Sequence, residues 1–453
     1  MRRKWLKGAL WVLLTPIILF VIVMILLYVP PVQNFIRKQA IAIASDATGM
    51  NISVERIDLR FPLNLLVRGV QVVQSENAAA DVQHPDTLLN LGSLNISVQA
   101  WPLLQGKVEV DNITLQEVAV NSSNLLEGMH IKGTLGRFFL ESHGIDLKRE
   151  NAVLNSVELS NTHMQVMLVD TTEAPKDTTE TVVNWKIALH DLKLKNVSVD
   201  LQMPLDSMAL AANIGDASIE DANADLKRQC YGWRKFALTG TTVNYDSGTA
   251  APIEGFDASH IALRDIRIGI DSVMVCGRDM NAIIREFSMY DRSGLSVTSL
   301  TGRLFADSTV IRVPYLQLKT PHSNMDLTAQ TYWKLVDIPT TGHLSARFNA
   351  NIGKQDVLLF AGGLPETFKD AYPFRPLVIH AGTEGNLKQM QISRFTAELP
   401  GAFYLSGGGE LWNLTDSLKR SGELDFEMQT QDLNFLTGLT GVTPDGSIVV
   451  PTA

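Results

Sequence analysis

Val110-Asp111-Asn112-Ile113-Thr114-Leu115-Gln116-Glu117-Val118-Ala119-Val120 is the stretch that decides the fold, because it recurs. Near copies are Val157-Glu-Leu159-Ser-Asn-Thr162-His-Met164, Leu192-Lys-Leu194-Lys-Asn-Val197-Ser-Val199 and Ile261-Ala-Leu263-Arg-Asp-Ile266-Arg-Ile268. The common form is apolar-x-apolar, two polar residues, then apolar-x-apolar. Alternation of period two puts the first apolar pair on one face of a strand. Across the polar pair the phase slips, and an uninterrupted strand would throw the second pair onto the other face. Two geometries keep all four on one side. A two-residue hairpin loop pairs Leu115 with Val118 across a turn. A β-bulge lets the strand continue but bend, its apolar side still turned inward. No copy carries the Gly that a tight primed turn favours, so the bulge is the better reading. Bent strands laid side by side, apolar inside the bend, predict a groove.

Working outward, the chain has 453 residues, 45% hydrophobic and 19% charged, which is enough for two or three ordinary domains. The net charge of −9 and a pI near 5.5 argue against nucleic acid, whose phosphates want a basic face. Cys230 and Cys276 are too few for a disulfide framework or a zinc site. One bridge between them is possible, and the plainer reading is two buried thiols.

Upstream, residues 1–8 form a basic tail with Arg2, Arg3, Lys4 and Lys7, and residues 9–29 are uncharged and apolar. A run of that length spans the ~30 Å hydrocarbon core of a bilayer. It is too long, and ends too bulkily, for a cleaved signal peptide. The basic flank predicts a cytoplasmic N-terminus, with everything after Pro30 across the membrane. Pro30-Pro31 breaks the helix, and an amphipathic helix follows within residues 30–49, closed by Gly49. It suits the membrane surface and the open end of a sheet equally.

From Asn51 the pattern is β almost throughout. Residues 171–181 are a polar low-complexity insert loop, and 354–371 is the one strongly helix-like interruption, broken at Pro365. Gly407-Gly408-Gly409 reads as a turn or bulge. The last residues, 446–453, are strand-like, and the body 50–453 is expected to continue beyond Ala453. So many strands with so few helices exclude a doubly wound α/β enzyme and point to a stack of repeated units.

No reaction constellation is present: no G-x-S-x-G elbow, no phosphate loop, no H-x-x-x-H pair. His163, His190 and His260, with Asp58, Glu117, Glu158 and Asp265, occupy the polar half of alternating strands and are expected to face solvent. The reading is a non-enzyme with no catalytic residues, cofactor or metal.

Several of these stretches carry a resemblance. The N-terminal anchor, Pro30-Pro31-Val-Gln-Asn-Phe35, the close at Thr48-Gly49 and Ile52-Ser-Val54-Glu-Arg-Ile57 resemble the start of AsmA-like proteins. So do Leu65-Leu66-Val-Arg-Gly69-Val70-Gln-Val72 and the stretch from Trp101-Pro102-Leu103-Leu104 through Val110 to Leu115. The similarity is strongest to AsmA-like proteins of the TamB type, inner-membrane subunits of a translocation and assembly module. Its specific part covers roughly the first 120 residues; beyond that only repetitive β-rich sequence matches.

The resemblance implies an elongated β-groove in the periplasm of a diderm bacterium, anchored in the inner membrane through residues 9–29. It implies passage of phospholipids between inner and outer membranes. The alternative it implies is outer-membrane protein assembly, with an Omp85-type barrel engaged through a region outside this sequence. The residues that would line the groove are Ile113, Leu115, Val118, Val120, Leu192, Leu194, Val197, Ile261, Leu263 and Ile266. Core packing between two β-layers is the competing reading for each.

Overall fold

A computed structural model describes residues 29–60, 64–74, 87–99, 110–122, 128–146, 149–169, 184–432, 434–437, 441–442 and 448–449. The apolar run 9–29, save Val29, and the insert loop 171–181 lie outside the described residues. No described helix is long and apolar enough to cross a membrane. The described chain is mostly β, as expected. It divides into two compact units, residues 1–176 with 192–202, and residues 177–191 with 203–453.

The first unit holds a helix α1 (Pro30–Thr48) and strands β1 (Asn51–Arg60), β2 (Asn64–Val73), β3 (Thr87–Val98), β4 (Val110–Asn121), β5 (Met129–Asp146) and β6 (Asn151–Leu168). Residues 192–202 of β7 (Lys186–Met203) belong to it too. β1 to β6 form an antiparallel meander, each pairing with the next. Gly49, in the left-handed conformation at φ 67°, ends α1 as expected.

α1 packs on β1. Gln33 Nε2 donates to Leu59 O at 3.2 Å and Arg37 Nη1 to Glu55 O at 2.5 Å. Ser45 Oγ accepts from the Ile52 N–H at 3.3 Å. The helix therefore satisfies backbone groups on the side of β1 that β2 does not use, which blunts a sheet edge.

The second unit, by itself, is also an antiparallel meander. Its strands are β8 (Met208–Asp225), β9 (Cys230–Ser247), β10 (His260–Cys276), β11 (Asp279–Asp291), β12 (Ser296–Val297), β13 (Ser299–Ala306), β14 (Val310–Lys319) and β15 (Asn324–Tyr332). β16 (Leu344–Ile352), β17 (Leu377–Gly385), β18 (Gln389–Leu399), β19 (Phe403–Trp412) and β20 (Ser421–Thr430) follow.

The helix-like interruption becomes α2 (Lys354–Phe360) and α3 (Glu366–Ala371), parted at Pro365 as expected. It builds the main buried cluster among the described residues: Phe368, Tyr372, Leu399, Ala402 and Phe435, all 6% exposed or less. Asp356 of α2 is buried and accepts from the hydroxyls of Thr320 and Ser323. This bond pair ties the insert to the β14–β15 turn.

Three expectations are corrected. Cys230 and Cys276 are disulfide-bonded, because the β9–β10 register sets them directly opposite with Cα atoms 4.1 Å apart. His260 and Asp58 are buried, not solvent-facing. His260 Nδ1 lies 2.8 Å from Asp257 Oδ2, and Asp58 accepts from Arg56 Nε at 2.7 Å. Gly407-Gly408-Gly409 is the middle of β19, although it does face a one-residue bulge of β18 between Ile392 and Phe395.

Candidate functional site: an apolar sheet face

Each copy of the repeated phrase lies inside one strand, so none is a hairpin. The second polar residue takes the left-handed conformation in all four: Glu117, Asn161, Asn196 and Asp265, with φ between 52° and 55°. Gly69 of β2 and Gly240 of β9 do the same at φ 60° and 62°. One such residue reverses the side-chain alternation and keeps the four apolar residues on one face.

From β1 to β6 this is not the bulge that was expected. A bulge sets two residues against one, yet the register runs one-to-one through Gln116↔Arg137 and Val118↔Leu135, and likewise from β5 to β6. All six strands slip at the same level, and the sheet creases as a unit. Glycines make room along the crease line. A Cβ at Gly92 would sit 2.9 Å from Glu117 Cβ, and one at Gly136 would sit 2.8 Å from Asn161 Cβ. The Ile261 copy in β10 does show register shifts on either side of Ile266, as a bulge requires.

Because facing residues in an antiparallel ladder share a face, the register yields four apolar rows across the first unit. They are Leu59-Leu65-Ile96-Ile113-Leu140-Val157; Ile57-Val67-Leu94-Leu115-Phe138-Leu159; Val54-Val70-Leu91-Val118-Leu135-Thr162; and Ile52-Val72-Leu89-Val120-Gly133-Met164. The crease runs between the second and third. Thr162, Val197, Thr241 and Ile266, each next after a left-handed residue, are buried. A side chain at the inner corner of a fold is crowded in this way, so the apolar side is the inside of the crease.

The second unit carries a longer row. Ile219, Phe236, Ile270, Ile284, Gly302, Leu316, Leu327, Phe348, Ala381, Phe395, Gly407 and Phe426 are successive register partners, from β8 to β20. No polar residue interrupts it. The Phe395 and Phe426 rings meet edge-on at 6.1 Å across Gly407, where a side chain would collide with Phe426. Apart from Gly302, every member is half-buried or exposed. Strand packing in each unit runs between chain neighbours. The opposite face is polar, with pairs such as Asn349↔His380, whose side chains lie 2.8 Å apart.

The polar face also holds the charged clusters. Asp221, itself left-handed at φ 50°, receives Arg234 Nε at 2.6 Å and lies 2.6 Å from His190 Nδ1. The bond from Arg234, then that from His190, holds its carboxyl below the usual range. Among the described residues no His/Cys/Asp/Glu group could hold a metal ion.

Of the expected lining residues, Ile113, Leu115, Val118 and Val120 sit in the four rows, half-buried or, for Val120, exposed. Ile261, Leu263 and Ile266 face Tyr245, Val243 and Thr241 of β9, with Ile266 buried. Leu192 and Leu194 of β7 are half-buried and Val197 is buried. The Ile113 and Leu192 sets lie in the first unit, and the Ile261 set in the second. Sequence reasoning missed most of the long row: β15, β16 and β20 alternate plainly without the polar pair that drew notice, and the pair Ser393-Arg394 within Met390-x-Ile392-Ser-Arg-Phe395-x-Ala397 of β18 went unread. It also missed β3 and β5, where the phrase is disguised by a glycine, as in Leu89-x-Leu91-Gly92-Ser93-Leu94-x-Ile96.

What the sheets define is a class: amphipathic antiparallel meanders with one creased or uninterrupted apolar face. No protein-family model matches the chain, and no curated protein matches it either.

Proposed function

We propose that this chain passes phospholipid along its apolar sheet faces, as an inner-membrane-anchored periplasmic conduit of the AsmA-like, TamB type. The observation that carries the reading is the unbroken apolar row of the second unit, partly open to solvent along its length. Interlocked sandwich layers would bury such residues, as the helical insert buries Leu399 and Ala402. An acyl chain exposed to water costs about 0.8 kcal/mol per CH₂, so a continuous apolar floor lowers the barrier to movement. Specific polar contacts would slow transit, and no chemistry is required. The Cys230–Cys276 bridge suits an oxidising compartment such as the periplasm.

The test is mass spectrometry of lipid carried by the chain purified without residues 1–29. Co-purifying phospholipid is expected; a dry, lipid-free protein ends the proposal. A second reading, assembly of outer-membrane proteins by strand addition, is favoured by one observation. Among the described residues β20 pairs only with β19, and it exposes Leu424, Phe426 and Met428. Crosslinks from β20 would then trap unfolded barrel precursors and no lipid.

A further inference from the structure

We propose that α1 lies in the bilayer interface while it remains bonded to the sheet edge, so that the apolar face begins at the membrane surface. This rests on the conduit reading above and adds where lipid enters. Two observations carry it. The bonds from Gln33 and Arg37 to Leu59 O and Glu55 O fix one side of the helix on β1. Phe35 lies about 160° around the helix from both, since each residue turns about 100°. It is 62% exposed, and Ile43, about 80° further round, is 66% exposed. Bonding to β1 does not account for a phenylalanine turned away from it, or for an isoleucine left exposed about 80° from Gln33 and about 120° from Arg37.

The second observation is what precedes the helix. The uncharged run 9–29 ends at the residue before Pro30, the first of α1. A segment in the bilayer there places α1 within a turn or so of the interface. The occupant this selects is lipid bilayer rather than a protein. Lys38 is exposed and the first turn carries no acidic residue, which suits an anionic lipid surface. A phospholipid leaving the leaflet then meets Ile52, Val54, Ile57 and Leu59 of β1, the starting members of the four apolar rows, without crossing bulk water.

The experiment uses the full chain, its native disulfide intact, in vesicles of phosphatidylethanolamine and phosphatidylglycerol. Single substitutions Leu19→Cys, Phe35→Cys, Ile43→Cys and Leu418→Cys carry a bimane label, with nitroxide lipids as shallow or deep quenchers. Labels at 35 and 43 are expected to be quenched severalfold more by the shallow nitroxide, the label at 19 by the deep one, and the label at 418 by neither. Water-like emission at 35 and 43 with position 19 quenched overturns the proposal and leaves the anchor standing. An unquenched position 19 removes the anchor and the proposal together. Labels at 35 and 43 shielded from a water-soluble quencher yet untouched by lipid nitroxide identify a protein contact, which also overturns it. The conduit reading is judged separately by the lipid-binding measurement, so the two failures are distinguishable.

Discussion

At the scale of single residues, the crease depends on two unlike requirements that meet at one line. Glu117 and Asn161 must hold φ near 50°, and Gly92 and Gly136 beside them must lack a Cβ. Asn tolerates the left-handed region and β-branched residues do not. Asn161→Val is therefore expected to destabilise the first unit by about 1–2 kcal/mol, with Asn161→Gly close to neutral, measured by urea unfolding. Gly136→Val attacks the same line from the other strand and is expected to cost about 1–3 kcal/mol, since the neighbouring backbone must shift. The polar pairs Ser-Asn, Lys-Asn and Arg-Asp made the bend legible in the sequence. That it is a crease and not a bulge was not legible, because the distinction lies in whether the neighbouring strands slip at the same level.

Asp291 makes a prediction of its own. Burial pushes its carboxyl up, but bonds from the Ser293 hydroxyl and from the N–H groups of Ser293, Ala262 and Arg292 outweigh this and leave it below its ordinary value. The folded form then binds fewer protons than the unfolded one, so the contribution is present above the ordinary carboxylate range near 4. It is lost as pH falls through the depressed value. Melting temperature is expected to drop on acidification below about 4, and Asp291→Asn is expected to flatten that dependence while lowering stability at pH 7.

At the scale of elements, the helical insert and the open rows should respond differently to the same kind of change. Phe368 packs in a closed cluster against Tyr372 and Phe435, with ring centroids 5.8 and 5.9 Å away. Phe368→Ala is expected to cost about 3–5 kcal/mol. Phe348→Ala, in the half-buried row, removes area that is already partly wet and is expected to cost clearly less, in the lower half of the usual 0.5–3 kcal/mol range, about 1 kcal/mol. Comparable losses at both positions would mean that the row is a closed core. The insert was legible from its apolar spacing and Pro365. Its buried partners at the β18–β19 turn were not, because they lie about 30 residues further along. The disulfide was illegible for a related reason: a separation of 46 says nothing until register sets the two cysteines opposite each other. Closing a loop of that length stabilises by about 4 kcal/mol on the chain-entropy estimate, so reduction is expected to lower the unfolding midpoint of the second unit. Thiol counting on the unreduced, unfolded chain should find none free.

At the scale of the whole molecule, each unit has one apolar face and one polar face, and the proposed function needs only the first. This gives a paired prediction that separates movement along the face from fold stability. Leu194 and Leu263, one in each unit, are half-buried, so a carboxylate at either keeps partial access to water and is not forced into a dry core. The double variant Leu194→Asp/Leu263→Asp is expected to retain its far-ultraviolet circular dichroism, and to lose lipid transfer between vesicles by tenfold or more. Hydrocarbon cannot cover an ionised carboxylate without stripping its water. Asn349→Asp adds one such charge on the polar face, opposite His380, and is expected to leave transfer unchanged. If both changes slow transfer alike, net charge near the membrane is at work and the apolar face is not the path. If neither does, lipid does not travel over these residues. Only the asymmetric result follows from a path over the apolar face, because a charge on the polar face leaves the apolar side chains unchanged.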